Sequence, residues 1–91
     1  MLEPIYTMRF RKQFKLMQKR GMEMLKLREV MDMIIKEQQL PPKYCNHPLR
    51  GEWEGAYDCH IQGDWVLVYE PDHQACTVTF HRTGTHSDLD I

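Results

Sequence analysis

The period of the hydrophobic pattern changes near the middle of the chain. Over residues 8–36 apolar side chains recur at three- and four-residue steps. Phe10, Phe14 and Met17 form one stripe; Met24, Leu27, Met31 and Ile34, widened by Val30 and Ile35, form another. That spacing predicts two amphipathic helices. Thr7 is an N-cap for the first, which runs to about Arg20 before Gly21 breaks it. The second spans roughly Met22–Gln39 and stops at Pro41-Pro42. The short break between them predicts an antiparallel helical hairpin. The methionines at these spacings are core filler.

Past a loop over residues 41–53, the pattern becomes that of strands. One strand is predicted near Trp53–Ile61, then a Gly63-Asp64 turn and a second strand, Trp65–Glu70. After a turn at Pro71-Asp72-His73-Gln74, the segment Cys76–Arg82 alternates, with Thr77, Thr79 and His81 on one face and Val78, Phe80 and Arg82 on the other. Pro4–Thr7 adds a short edge strand, and the tail TGTHSDLDI after Gly84 reads as either a final short strand or coil. The predicted order is β-α-α-β-β-β: an α+β domain with a helical hairpin on a mostly antiparallel sheet.

Composition narrows this further. A chain of 91 residues is long enough for one core, so residues 1–91 read as a single domain. No apolar run approaches a membrane span, and the first residues lack the apolar segment of a secretory signal. Cys45, Cys59 and Cys76 are odd in number and show no CxxC spacing, which points to a reduced, cytoplasmic setting.

The net charge of −1 hides a marked asymmetry. Residues 1–50 carry eleven Lys/Arg against five Asp/Glu, whereas residues 51–91 carry only Arg82 against eight acids and hold four of the five histidines. The densest basic stretch runs from Arg9 to Arg28 with Glu23 as its one acid. Such a surface attracts a polyanion or an acidic partner, but it is equally the solvated face of an ordinary helix.

The chemistry-bearing residues fall in three segments: NHPLRG with Asn46, His47 and Arg50; DCHIQGD with Asp58, His60 and Asp64; and HRTGTHSD with His81, Arg82, Thr85, His86 and Asp88. Alternation puts Asp58 and His60 on one strand face and Cys59 and Ile61 on the other. Strands paired as hairpins bring such loop-flanking residues to one end of the sheet. Histidines suit proton transfer near neutral pH, and an arginine suits a phosphate. Such a set could form a metal-free acid–base site able to break RNA, and the residues alone carry the reading no further. Each also has a plainer reading. His73 is solvated in a turn, His81 is structural, His47 caps its loop, Asp58 pairs with Arg50 or Arg82, and Cys59 is a buried thiol. Cys45/His47 and Cys59/His60 lack a recognised zinc-ligand spacing.

The segments HPLRGEWEGAYDCHIQGDWVLVYE and HRTGTHSDL resemble the YafQ branch of the RelE/ParE superfamily of bacterial toxins. The shared pattern is carried by His47-Pro48-Leu49, Gly51, Trp53, Gly55, Asp58, His60, Asp64-Trp65, Leu67, Tyr69 and Arg82-Thr83-Gly84-Thr85-His86. The resemblance implies a RelE-like fold and endonucleolytic cleavage of mRNA on the ribosome, with no metal or other cofactor. It also implies a cognate antitoxin, with DNA contacted only through the toxin–antitoxin complex. By the same resemblance His86 is the principal acid or base, His60 with Asp64 the complementary pair, and His47 a supporting group. Arg82 then holds the scissile phosphate, with Asp58, Arg50 and Tyr57 completing the RNA contacts.

Three departures from the family pattern stand out. Ala56-Tyr57 replaces a Tyr-Arg pair, leaving Tyr57 to offer stacking instead; Gly63 replaces a proline; and Asp90 replaces an aromatic residue. These losses keep a second reading open, a non-catalytic binder of the same fold that either poisons gyrase or only binds antitoxin.

Overall fold

The computed structural model describes residues 1–89, so Asp90 lies outside the described residues. Its elements are β1 (Glu3–Tyr6), α1 (Met8–Lys19), α2 (Met24–Ile35), β2 (His47–Pro48), β3 (Tyr57–Gln62), β4 (Trp65–Asp72), β5 (Thr77–Thr85) and α3 (His86–Leu89). The five strands form one sheet in the order β1-β5-β4-β3-β2. β1 runs parallel to β5, and the other pairs are antiparallel.

Thr7 caps α1 as its sequence position predicts, its Oγ1 accepting from Phe10 N at 3.0 Å. Gly21 ends the helix in the left-handed conformation, with Met22 N donating to Met17 O and Gly21 N to Gln18 O. The second helix is shorter than predicted at both ends. It closes in the same type of turn, but there Glu37 takes the left-handed conformation, so no glycine marks the stop. The carbonyl of Ile35 is taken by Leu2 N, just ahead of the edge strand, at 2.7 Å.

The strand predicted at Trp53–Ile61 begins later. Gly51–Trp53 is a 3-10 turn, and the preceding loop contributes a two-residue strand, β2, that pairs His47 with Asp58. β5 runs on through Gly84 to Thr85, and a four-residue helix follows in place of a strand or coil.

Both faces of the sheet are covered, which explains the unbroken apolar run of β4. On one face Cys59, Ile61, Trp65, Leu67, Tyr69, Val78 and Phe80 meet Phe10, Met17, Leu27, Val30, Met31 and Ile34 of the helices. On the other, Ala56, Val66, Val68 and Leu89 form a smaller cluster against Leu49 and Trp53.

A β-bulge decides what that second face carries. Tyr69 opposes Phe80 while its neighbour Val68 opposes Arg82, so β5 spends an extra residue there. Simple alternation groups Arg82 with Val78 and Phe80 on the helix side; the bulge turns it to the opposite face. α1 satisfies the polar groups that the bulge frees. Thr7 Oγ1 donates to His81 O at 2.9 Å, and Thr83 N donates to Gln13 Oε1 at 3.0 Å.

Candidate active site

Strand register places four residues in a row across the face opposite the helices: His47 on β2, Asp58 on β3, Val68 on β4 and Arg82 on β5. Arg82 thus stands two strands from Asp58, about 10 Å at ordinary strand spacing. The adjacent row is His60, Val66 and Gly84, beside which the chain turns into α3 with His86 as its first residue.

The histidines are held in two groups. His47 Nδ1 lies 2.8 Å from the carbonyl oxygen of Cys45, an acceptor, so that nitrogen carries a proton. Its Nε2 lies 2.8 Å from Asp58 Oδ1. Asp58 is almost fully buried. Among the described residues no donor is aligned on its Oδ1 as a hydrogen bond, and the two groups form an ion pair only when both His47 ring nitrogens carry protons. In the second group, His86 Nδ1 lies 3.1 Å from Asp64 Oδ1. A carboxylate only accepts, so Nδ1 donates and Nε2 is left for chemistry. The His60 and His86 rings meet edge to face, their centres 5.2 Å apart.

The short helix bearing His86 is fixed from several sides. Asp88 N donates to Thr85 Oγ1 at 3.1 Å and Thr85 N donates to Asp88 Oδ2 at 2.9 Å, a reciprocal cap around the first turn. Arg20, at the end of α1, grips the same carboxylate with Nη1 at 2.6 Å and Nη2 at 3.1 Å. The Arg20 guanidinium, aided by the Thr85 amide, holds the Asp88 carboxyl well below the usual carboxylate range. Leu89 anchors the helix in the smaller apolar cluster.

The structure brings His47 to Asp58, and His60 to His86 and Asp64. Two expected groupings change. Asp64 pairs with His86 rather than with His60, and Asp58 pairs with His47 rather than with an arginine. Tyr57 is not brought to the histidines: one residue before Asp58, it faces the other way and stacks on Tyr69, ring centres 5.7 Å apart. Arg50 is exposed ahead of the 3-10 turn, and no ion pair ties it to the cluster among the described residues. His81 is held by Glu70 at 2.9 Å and by the Trp53 ring, and His73 is exposed near Glu37. Trp65 is buried in the helix-side core, its Nε1 donating to Thr83 Oγ1. Burial, with the neighbouring Asp58 charge second, pushes the Cys59 thiol up to about 12. Asp88 stood among the chemistry-bearing residues of the sequence, but nothing there marked Arg20 as its partner or its role in a cap, although the Thr85-x-x-Asp88 spacing is that of a helix cap.

These histidines lie on the face opposite the helices, His47 exposed and His60 and His86 half-buried. A groove of about 730 Å³ lies on the helix side between Phe10, Phe14, Met31 and Ile35, rimmed by Arg11 and Arg28. No helix among the described residues is long and apolar enough to cross a membrane.

A two-helix layer on one face of a five-stranded sheet, with paired histidines and carboxylates on the other, defines a small α+β protein with a candidate acid–base site. Residues 2–91 match the family described as the bacterial toxin of type II toxin–antitoxin systems, YafQ, and the chain belongs to that family. It is 40% identical over 85 residues to the mRNA interferase toxin YafQ of Escherichia coli K12, covering 92% of this chain and 90% of that one. It is similar in structure to YafQ in the E. coli DinJ–YafQ complex, with TM-score 0.90, 38% identity and 98% of each chain covered. A metal-bound toxin from Helicobacter pylori is also similar, with TM-score 0.91 and 36% identity over 98% of this chain and 99% of that one. Among the described residues no group of three or more His, Cys, Asp or Glu is gathered as for a metal ion.

Proposed function

We propose that this toxin is an mRNA endonuclease acting on the ribosome, which cuts RNA by 2′-hydroxyl attack using its own histidines and carboxylates and no metal. The observation that carries this reading is the pairing of His60 with His86, ring centres 5.2 Å apart, with Asp64 behind His86. Cleavage by this route needs two proton transfers close together, and two imidazoles supply them. One takes the proton of the 2′-hydroxyl as the 2′-oxygen bonds to phosphorus. The other gives its proton to the 5′-oxygen as the P–O5′ bond breaks. The products are a 2′,3′-cyclic phosphate and a 5′-hydroxyl end. Each proton transfer contributes about 10²–10⁴ in rate.

Arg82 steadies the added charge on the phosphorane from the far end of the His47–Asp58–Val68–Arg82 row. Asp58 acts through His47, holding its ring toward the same face. The exposed cations of α1, among them Arg9, Arg11, Lys12 and Lys15, supply the long-range attraction to ribosomal RNA. The E. coli relative is found with DinJ in a toxin–antitoxin complex, and a cognate antitoxin is the partner inferred here, with DNA contacted through that complex. The cytoplasm, where mRNA and ribosomes meet, is the inferred location.

The test is induced expression of wild type and His86→Ala in a bacterium, with primer extension on a reporter mRNA. New 5′ ends and growth arrest with wild type alone support the nuclease. Arrest by both proteins without new ends favours a gyrase-directed binder, and no arrest by either soluble protein favours a toxin reduced to antitoxin binding.

A further inference from the structure

The helix that presents His86 has four residues, too few to hold itself in water. Its placement therefore comes from outside. Leu89 fixes one end in the apolar cluster. The other end is fixed by Asp88, whose carboxylate receives both guanidinium nitrogens of Arg20 and the amide of Thr85. Arg20 lies 68 residues away in sequence, so the contact joins two otherwise separate layers of the fold. Its backbone is itself locked. It stands at the C-terminal cap of α1, directly before the left-handed Gly21, and the turn is closed by Met22 N donating to the carbonyl of the fully buried Met17. The approach is also close: a Cβ on Gly84 would come within 2.9 Å of Asp88 Cβ, so the backbone of β5 is shaped around this carboxylate.

The geometry points to Arg20 as a positioning residue for His86: through Asp88 and Thr85 it sets the first turn of α3 and so holds the His86 ring against Asp64 and His60. The inference rests on the nuclease reading for its kinetic consequence but not for its structural one. A bidentate arginine–carboxylate pair fixes orientation as well as distance, which a lysine at the same place cannot do. Arg20 does not touch the reacting phosphate in this account; it acts at a distance, through the helix. Losing it leaves RNA binding in place and lets His86 drift from the reactive geometry, where about an ångström of misplacement costs on the order of 10²-fold in rate.

The experiment compares wild type, Arg20→Ala and Arg20→Lys, with Lys36→Ala as a control that also removes one positive charge from the helical layer. Three quantities are read: single-turnover cleavage of ribosome-bound mRNA against toxin concentration, the His86 ring resonances by NMR, and the melting curve. The expected result is a 10- to 100-fold fall in the maximal rate for Arg20→Ala, the order a misplaced catalytic group produces. The concentration for half-maximal rate stays unchanged, and the His86 resonances shift in a protein that is still folded. Arg20→Lys falls between, and Lys36→Ala matches wild type. Should Arg20→Ala fail to fold, Arg20→Lys carries the same comparison. Unmoved His86 resonances in either folded variant overturn the proposal. So does a weaker half-maximal concentration with an unchanged maximal rate, which makes Arg20 an RNA contact. If wild type itself does not cleave, the nuclease reading fails, while the His86 resonances still decide whether Arg20 positions that ring.

Discussion

Replacing Gly84 by alanine tests how tightly the candidate site depends on backbone packing. The added Cβ would stand 2.9 Å from Asp88 Cβ and 3.1 Å from Asp88 Oδ2, closer than such atoms pack. Neither neighbour moves freely, because Asp88 is held by Arg20 and by the amide of Thr85. The strain of forcing one extra carbon into a filled site is roughly 1–3 kcal/mol. A small domain begins with about 5–15 kcal/mol, so at least about 2 kcal/mol remains and the folded form outnumbers the unfolded by roughly 30 to 1. Unfolding alone thus removes only a small percentage of the activity. Displacement of His86 with its helix predicts a loss on the order of 10²-fold. The assay pairs a thermal melt with single-turnover RNA cleavage at a temperature well below the transition. The expected melt is lower by about 4–8 °C for each kcal/mol lost. A variant whose rate falls only in step with its unfolded fraction, or one that melts and cleaves as wild type does, refutes the reasoning.

Two further outcomes follow from perturbed groups. Asp88 is held in its charged form in the folded state, so its contribution to stability is present above the unfolded carboxylate value of about 3.9 and is lost as pH falls below it. Melting curves from pH 6 to pH 2 therefore lose stability more steeply for wild type than for Asp88→Asn; parallel curves contradict the pairing. The Cys59 thiol, pushed up to about 12 by burial, stays neutral and enclosed, whereas Cys45 and Cys76 are exposed. Mass spectrometry after brief alkylation of native protein is expected to find label on Cys45 and Cys76 alone, with Cys59 labelled only in denaturant; rapid native labelling of Cys59 contradicts its placement.

The periodic parts of the chain were legible from sequence because periodicity reports a buried face. The stripes of α1 and α2 and the alternating strands appear close to where they were expected, and Thr7 caps α1. What escaped has no period. The strand formed by His47 and Pro48 is two residues long, and pairing with β3 creates it. The early end of α2 rests on Glu37 adopting a left-handed conformation, which no glycine announces. The bulge that turns Arg82 to the face of Asp58 rests on contacts from Thr7 and Gln13, more than 65 residues upstream.

For the candidate site, the residue types were legible but their partners were not. Asp64 lies nearer to His60 in sequence, yet the return of β5 brings His86 to it. Tyr57 shows the opposite case. The stacking contact expected of it follows from its place in the family pattern, whereas strand alternation alone sends it to the face of Cys59 and Tyr69. The Arg20–Asp88 contact joins the two ends of the sequence and leaves no local trace beyond the capping spacing.

The most direct test of the central claim is the chemistry of the cut ends. Toxin stripped of metal with EDTA and then desalted is incubated beside untreated toxin with programmed ribosomes in their magnesium buffer, and the products are mapped for terminal groups. Attack by the 2′-hydroxyl under histidine acid–base catalysis predicts 2′,3′-cyclic phosphate and 5′-hydroxyl ends at an undiminished rate, lost in His86→Ala. Ends carrying 3′-hydroxyl and 5′-phosphate, or cleavage that the stripped toxin has lost and the untreated toxin retains, would contradict it.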